Sequence, residues 1–252
     1  MSKLDYCIKM QFKMTVGEFL TVGLMLFVAV LPWIYMGFGG SGYVGIWLVG
    51  MPGLVAGLSL SFLVLRKIFV RSVYTSSSAL YQSLPLTAAD LVISKIFTAG
   101  IFLLLAFLPA FLIFGNGVGS LYVGKYQIKA AIIQILVNLG YRHSQIPLFV
   151  SLALIAAVFG CFAMAAVIQF VIAVYYSSSN WPGKLAAGIV GMVLAILAAL
   201  GLNLLPYWLL ISGRIGGGGE LAHPAMMPAA GILLNVGVLL AAGKGSVRLL
   251  ER

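Results

Sequence analysis

Two histidines, two cysteines and five carboxylates are all the chain offers for acid–base, nucleophilic or metal chemistry, and their spacing assembles none of it. His143 and His223 stand alone, with no H-E-x-x-H pair to hold a zinc ion. Asp5, Glu18, Asp90, Glu220 and Glu251 fall at or outside the ends of the apolar runs, so no carboxylate pair sits within one. Cys7 lies in a polar stretch and Cys161 in an apolar run, which gives no disulfide framework. A phosphate loop requires G-x-x-x-x-G-K-[ST]. Gly183-Lys184 and Gly243-Lys244 lack the upstream glycine and the following hydroxyl. The chain is therefore expected to be non-catalytic, with no metal or cofactor of its own. If ATP drives it, another chain hydrolyses the ATP. What remains is a set of neutral polar groups inside apolar runs: Ser59, Ser61, Gln169, Asn203 and Asn235. Such groups hydrogen-bond between helices or line a substrate path, and Gln169, Asn203 and Asn235 are the candidates for a path.

The elements that must position these groups are set by composition. Of 252 residues, 62% are hydrophobic and 8% charged, and the mean hydropathy is +1.13. A soluble domain is about 25% charged. A soluble fold of this size could not hide so much apolar surface. That excludes a soluble enzyme, a nucleic-acid-binding domain and a disordered chain. The expected class is an all-α integral membrane protein forming one transmembrane domain over 1–252. A bilayer core of about 30 Å needs roughly 20 apolar residues per helix. Six windows qualify: Phe19–Phe38, Tyr43–Leu65, Ile96–Phe114, Ile146–Tyr175, Leu185–Ile211 and Ala225–Gly243. The fourth and fifth are long enough to tilt or to extend past the membrane. The first is too long for the core of a cleavable signal, so it reads as a permanent span.

The net charge of +10 is a topology signal in such a chain. Lys3, Lys9, Lys13, Arg66, Lys67, Arg71, Lys95, Lys184, Lys244, Arg248 and Arg252 fall on one side of the six spans. Lys125, Lys129, Arg142 and Arg214 fall on the other. Eleven against four predicts that both termini face the cytoplasm. Trp33, Trp47, Trp181 and Trp208 all lie near span ends, as an aromatic belt requires.

Outside the spans, three segments are patterned. Residues 1–18 read as an interfacial elbow helix, with Leu4, Ile8, Phe12 and Val16 on one stripe toward lipid. Its Lys3, Lys9 and Lys13 reach for headgroups. The outer connection 115–145 carries apolar residues at helical spacing from Ile128 to Leu139, which predicts an amphipathic helix on the membrane surface. Within the spans, Gly53-x-x-x-Gly57 is a small-residue packing motif, within one chain or between two, and Gly188 and Gly191 give the fifth span a similar face. Pro206 is expected to bend that span near its outer end.

The inner connection 66–95 is the third segment and the most informative. Pro85 holds Leu84 extended. Thr87-x-x-Asp90 then resembles a capping box, so a helix is expected to start at Thr87 and run through Lys95 into the third span. A capped helix continuous with a span is a mechanical lever. Ser83-Leu84-Pro85-Leu86-Thr87 and Leu91-Val92-Ile93-Ser94-Lys95 resemble the inner loop of ABC-2 type permeases, the membrane subunits of a class of ATP-binding cassette exporters. The likeness extends in outline to the six spans, the inside termini and the elbow helix. Relatives often carry basic residues after the proline, where this chain has Ala88 and Ala89.

The resemblance implies a cytoplasmic coupling helix, with Tyr81, Leu84, Pro85, Thr87 and Asp90 as the ATPase-coupling residues. It implies ATP-binding cassette ATPase subunits as partners, carrying the ATP and Mg. It further implies a second permease, the same or a different chain, and membrane lipids around both. The expected work is outward movement of a hydrophobic or amphipathic substrate (peptide, drug or lipid) across a bacterial plasma membrane. Two other readings stay open. One is an ion-driven carrier or channel, against which stands the lack of buried ionisable groups in the spans. The other is a non-transporting assembly or regulatory protein.

Overall fold

The computed structural model describes residues 3–37, 48, 50–71, 86–116, 146–177, 182, 185, 189 and 226–251. Five helices carry almost all of them: α1 (Lys3–Gly37), α2 (Met51–Arg66), α3 (Ala88–Asn116), α4 (Ile146–Ser177) and α5 (Met226–Leu250). A π turn, Lys67–Arg71, follows α2. Among the described residues there is no strand. Four segments are long and apolar enough to cross a membrane: Leu4–Pro32, Ala88–Ala106, Leu154–Ser177 and Pro228–Leu250. The described residues are thus all-helical, and their apolar helices have the character of a multi-pass membrane protein.

These helices form where the sequence places apolar runs, with ends that differ for local reasons. α1 is continuous from Lys3 to Gly37, with no break between the interfacial segment and the first span. Its buried stripe is Cys7, Gln11, Thr15, Val22, Leu26 and Ala29, while Lys9 and Lys13 are exposed. Nothing near residue 18 interrupts the backbone ladder, since Gly17 is only one weak former among good ones. α3 starts eight residues before the expected span, at its cap, and α5 runs seven residues past Gly243 to Leu250. Pro228 sits in the first turn of α5, where its missing N–H costs no helical hydrogen bond. Most of the expected fifth span, and all of the 117–145 stretch, lie outside the described residues, as do Gly188, Gly191 and Pro206.

Contacts divide the chain into two compact units. One consists of Thr15–Leu65 and Phe102–Ile146. Here α2 lies against the same chain's α1 through its glycines. A Cβ on Gly53 would come within 2.8 Å of the Ala29 Cβ, and one on Gly57 within 2.5 Å of a Leu26 methyl. The Gly53-x-x-x-Gly57 motif is therefore spent on an intrachain contact. Phe19 meets the ring of Phe102 edge-on, with centroids 4.8 Å apart.

The other unit consists of Met1–Met14, Arg66–Ile101 and Pro147–Arg252. It joins the start of α1, the π turn, the first half of α3, and the described parts of α4 and α5. A Cβ on Gly100 of α3 would collide with the Phe162 ring of α4. Only glycine lets those two backbones approach so closely. Phe97 adds a tilted ring contact with Phe162 at 5.9 Å.

Candidate functional site

The capped start of α3 is built as its spacing requires. The Thr87 hydroxyl accepts from the Asp90 amide at 3.1 Å, and the Thr87 amide donates back to Asp90 Oδ2 at 3.2 Å. The hydroxyl proton also reaches Asp90 Oδ2, at 2.7 Å. The Leu91 amide closes the first helical turn on the Thr87 carbonyl at 3.2 Å. Two amides that have no intrahelical acceptor are thus satisfied by side chains three residues apart. The Asp90 carboxylate also lies at the positive end of the helix dipole. From this cap the helix continues without interruption through Asn116. Tyr81, Leu84 and Pro85 lie outside the described residues.

Two turns into α3 the structure departs from the sequence reading. Lys95 stands in the expected row of solvated basic residues at the membrane boundary, yet it is fully buried. Its Nζ donates to the Phe69 carbonyl at 2.6 Å. Phe69 belongs to the π turn, where backbone bonds run from i to i+5 rather than i to i+4. The same turn's Lys67 donates to the Met14 carbonyl of α1 at 3.2 Å. Two lysines therefore link the π turn to α3 on one side and to α1 on the other. Contrary to the expectation that no ionisable group is buried in a span, Lys95 is buried inside the membrane-competent segment Ala88–Ala106. A signal was present. Val92, Lys95, Ala99 and Phe102 recur at helical spacing, and all four are buried.

The neutral polar groups divide by how they are satisfied. Ser61, Thr98 and Ser246 donate to carbonyls four residues back on their own helices, at 2.7–2.9 Å. Ser94 donates to the Leu91 carbonyl, three residues back, at 2.9 Å. Back-bonding of this kind keeps a buried hydroxyl satisfied without a partner helix. Asn235 of α5, 2% exposed, donates through Nδ2 to the Ala156 carbonyl of α4 at 3.2 Å. That is the interhelical bond among its two readings. Gln169 differs from all of these. It is fully buried on the face that carries Ala165, Ala166 and Ala173, and neither amide atom has a hydrogen-bond partner among the described residues. Asn203, His143 and His223 lie outside the described residues.

No protein-family model matches the chain, and no curated protein or solved structure does either.

Proposed function

We propose that the chain is the permease subunit of an ABC-2 type exporter, with six spans and both termini in the cytoplasm of a bacterium. The observation that carries this reading is the start of α3. A reciprocal Thr87–Asp90 cap opens a 29-residue helix directly after the Leu84-Pro85 pair. A partner ATPase docks there through Tyr81, Leu84 and Pro85, and its motion reaches the membrane because the helix has no joint between cap and span. In this reading the chain is not an enzyme. ATP and Mg belong to the ATPase subunits, and a second permease completes the path for a hydrophobic or amphipathic substrate. Gln169 and Asn203 are the polar groups assigned to that path.

The test is to look for an ATP-binding cassette ATPase among the neighbouring reading frames and pull it down with this chain, with membrane insertion checked separately. A cap contributes about 1 kcal/mol. Thr87→Ala with Asp90→Ala is therefore expected to leave insertion unchanged while weakening ATPase association and its coupled hydrolysis. Tyr81→Ala is expected to weaken the complex further. Parent-like association and coupling in all these variants would refute the reading.

The buried Lys95 favours a second reading, an ion-driven carrier. Ionisable groups within membrane helices mark ion paths more often than surface ones do. Proteoliposomes without ATP separate the two. Proton uptake under an imposed potential, lost in Lys95→Met, belongs to the carrier and not to the exporter.

A further inference from the structure

We propose that the apolar groove between α3 and α5 holds one acyl chain of an anionic phospholipid, with Lys244 and Arg248 on its headgroup. The groove has a volume of about 650 Å³, a size typical of ligand sites. Ile96 and Phe97 of α3, Phe162 of α4, and Leu239 and Leu240 of α5 line its inner part. Its mouth lies at the capped end of α3 and the last turns of α5, where Lys244, Arg248 and Glu251 line it. All three are exposed. Lys244 and Arg248 are four residues apart and so share one face of α5.

Length and charge together identify the occupant. From Arg248 to Leu239 is about 14 Å of helix at a 1.5 Å rise per residue. Half of a roughly 30 Å hydrocarbon core is about 15 Å. The groove thus runs from headgroup level to near the bilayer midplane, the depth of one acyl chain in one leaflet. The two cations and one carboxylate at the mouth leave a single positive charge, which suits a singly charged headgroup. Basic pockets between membrane helices on the cytoplasmic side are sites of this chemistry. The proposal needs only a membrane protein and does not depend on the permease reading.

The experiment uses the full chain in neutral detergent, stripped of lipid and offered dioleoyl phosphatidylglycerol or dioleoyl phosphatidylcholine. Native mass spectrometry reads the retained lipid. The parent is expected to retain phosphatidylglycerol preferentially, and sn-glycerol 3-phosphate alone is not expected to displace it. Each cation near an anionic headgroup contributes about fivefold, so K244Q/R248Q is expected to lower retention roughly 30-fold. Because these side chains are exposed, the double variant should stay monodisperse. Gly243→Phe fills the groove instead, and its Cβ has room, with the nearest atom an Ile96 methyl 4.0 Å away. It is expected to lower retention of both lipids. R66Q, which removes an exposed cation at the end of α2, is expected to change nothing. Equal retention of the two lipids by the parent would overturn the proposal. So would parent-like retention in K244Q/R248Q, loss in R66Q, or displacement by glycerol phosphate. Loss of ATPase association in K244Q/R248Q with lipid retention intact would assign the groove to a protein segment and overturn it as well.

Discussion

At the scale of single residues, Lys95 is the group whose environment matters most. Its stem packs in the interior while its nitrogen meets the Phe69 carbonyl at 2.6 Å. Two opposed effects follow on its removal. Lys95→Met keeps most of the stem but takes this donor from a buried carbonyl, which costs about 1–3 kcal/mol. Relief from burying a strongly polar amine offsets part of that cost. Lys95→Ala loses the donor and also opens a cavity, a loss of about 2–5 kcal/mol for side chains of similar size. Melting temperatures in detergent are therefore expected to fall in the order parent, Lys95→Met, Lys95→Ala. A Met variant more stable than the parent would show that the hydrogen bond adds nothing net. Gln169 poses the converse case, a buried amide whose two polar atoms meet no partner among the described residues. Buried amides require satisfaction, which is why Gln169 and not Asn235 keeps its place in the proposed path.

At the scale of elements, close helix approach decides the architecture. The α3–α4 contact puts the Phe162 ring where a side chain on Gly100 would stand. An aromatic ring is rigid, so even one methyl forces a backbone shift, and overpacking of this kind costs about 1–3 kcal/mol. Gly100→Ala is expected to lower the melting temperature. Gly237→Ala on α5 is the matched control, because nothing lies within 4 Å of its added methyl. Glycine is about 1 kcal/mol worse than alanine within a helix, so this control is expected to hold or raise the melting temperature. Equal losses in both would mean that α3 and α4 do not pack at Gly100. The π turn is the other element-scale feature. It carries the carbonyl that Lys95 reaches and the ammonium of Lys67 that reaches Met14.

At the scale of the whole molecule, the charge distribution makes a topological prediction. On the six-span reading, and leaving out the buried Lys95, ten of the fifteen basic residues fall on the side of the termini. An impermeant maleimide is expected to label Lys9→Cys and Glu251→Cys only in inverted membranes, and Lys129→Cys only from outside intact cells. Lys9 and Glu251 are exposed, while Cys7 and Cys161 are buried, so background labelling should be low. Labelling of both termini from outside would reverse the orientation. Labelling of one terminus from each side would require an odd number of spans and overturn the six-span arrangement.

The amino-acid sequence by itself determined the class and most helix positions, because both follow from quantities local in the chain. Apolar run length decides whether a helix can cross a bilayer. The Thr87–Asp90 spacing decides where α3 begins, since a cap involves only residues three apart. Helix ends beyond the apolar runs were less legible. α5 continues through Lys244 and Arg248 although Gly243, Gly245 and Ser246 are weak helix formers, because packing overrides propensity: Gly245 lies against the Phe170 ring of α4 and the Ser246 hydroxyl bonds back to the Ala242 carbonyl. Tertiary structure alone decided which faces meet. A lysine at a helix start reads as solvated until the partner carbonyl, 26 residues earlier at Phe69, is placed beside it. Asn235 carries two readings until Ala156, 79 residues away, accepts its proton. Gly53 and Gly57 could serve a dimer until Ala29 and Leu26 of the same chain occupy the space against them. In each case the deciding group is distant in sequence, and only chain folding brings it within the few ångströms over which hydrogen bonds and packing act.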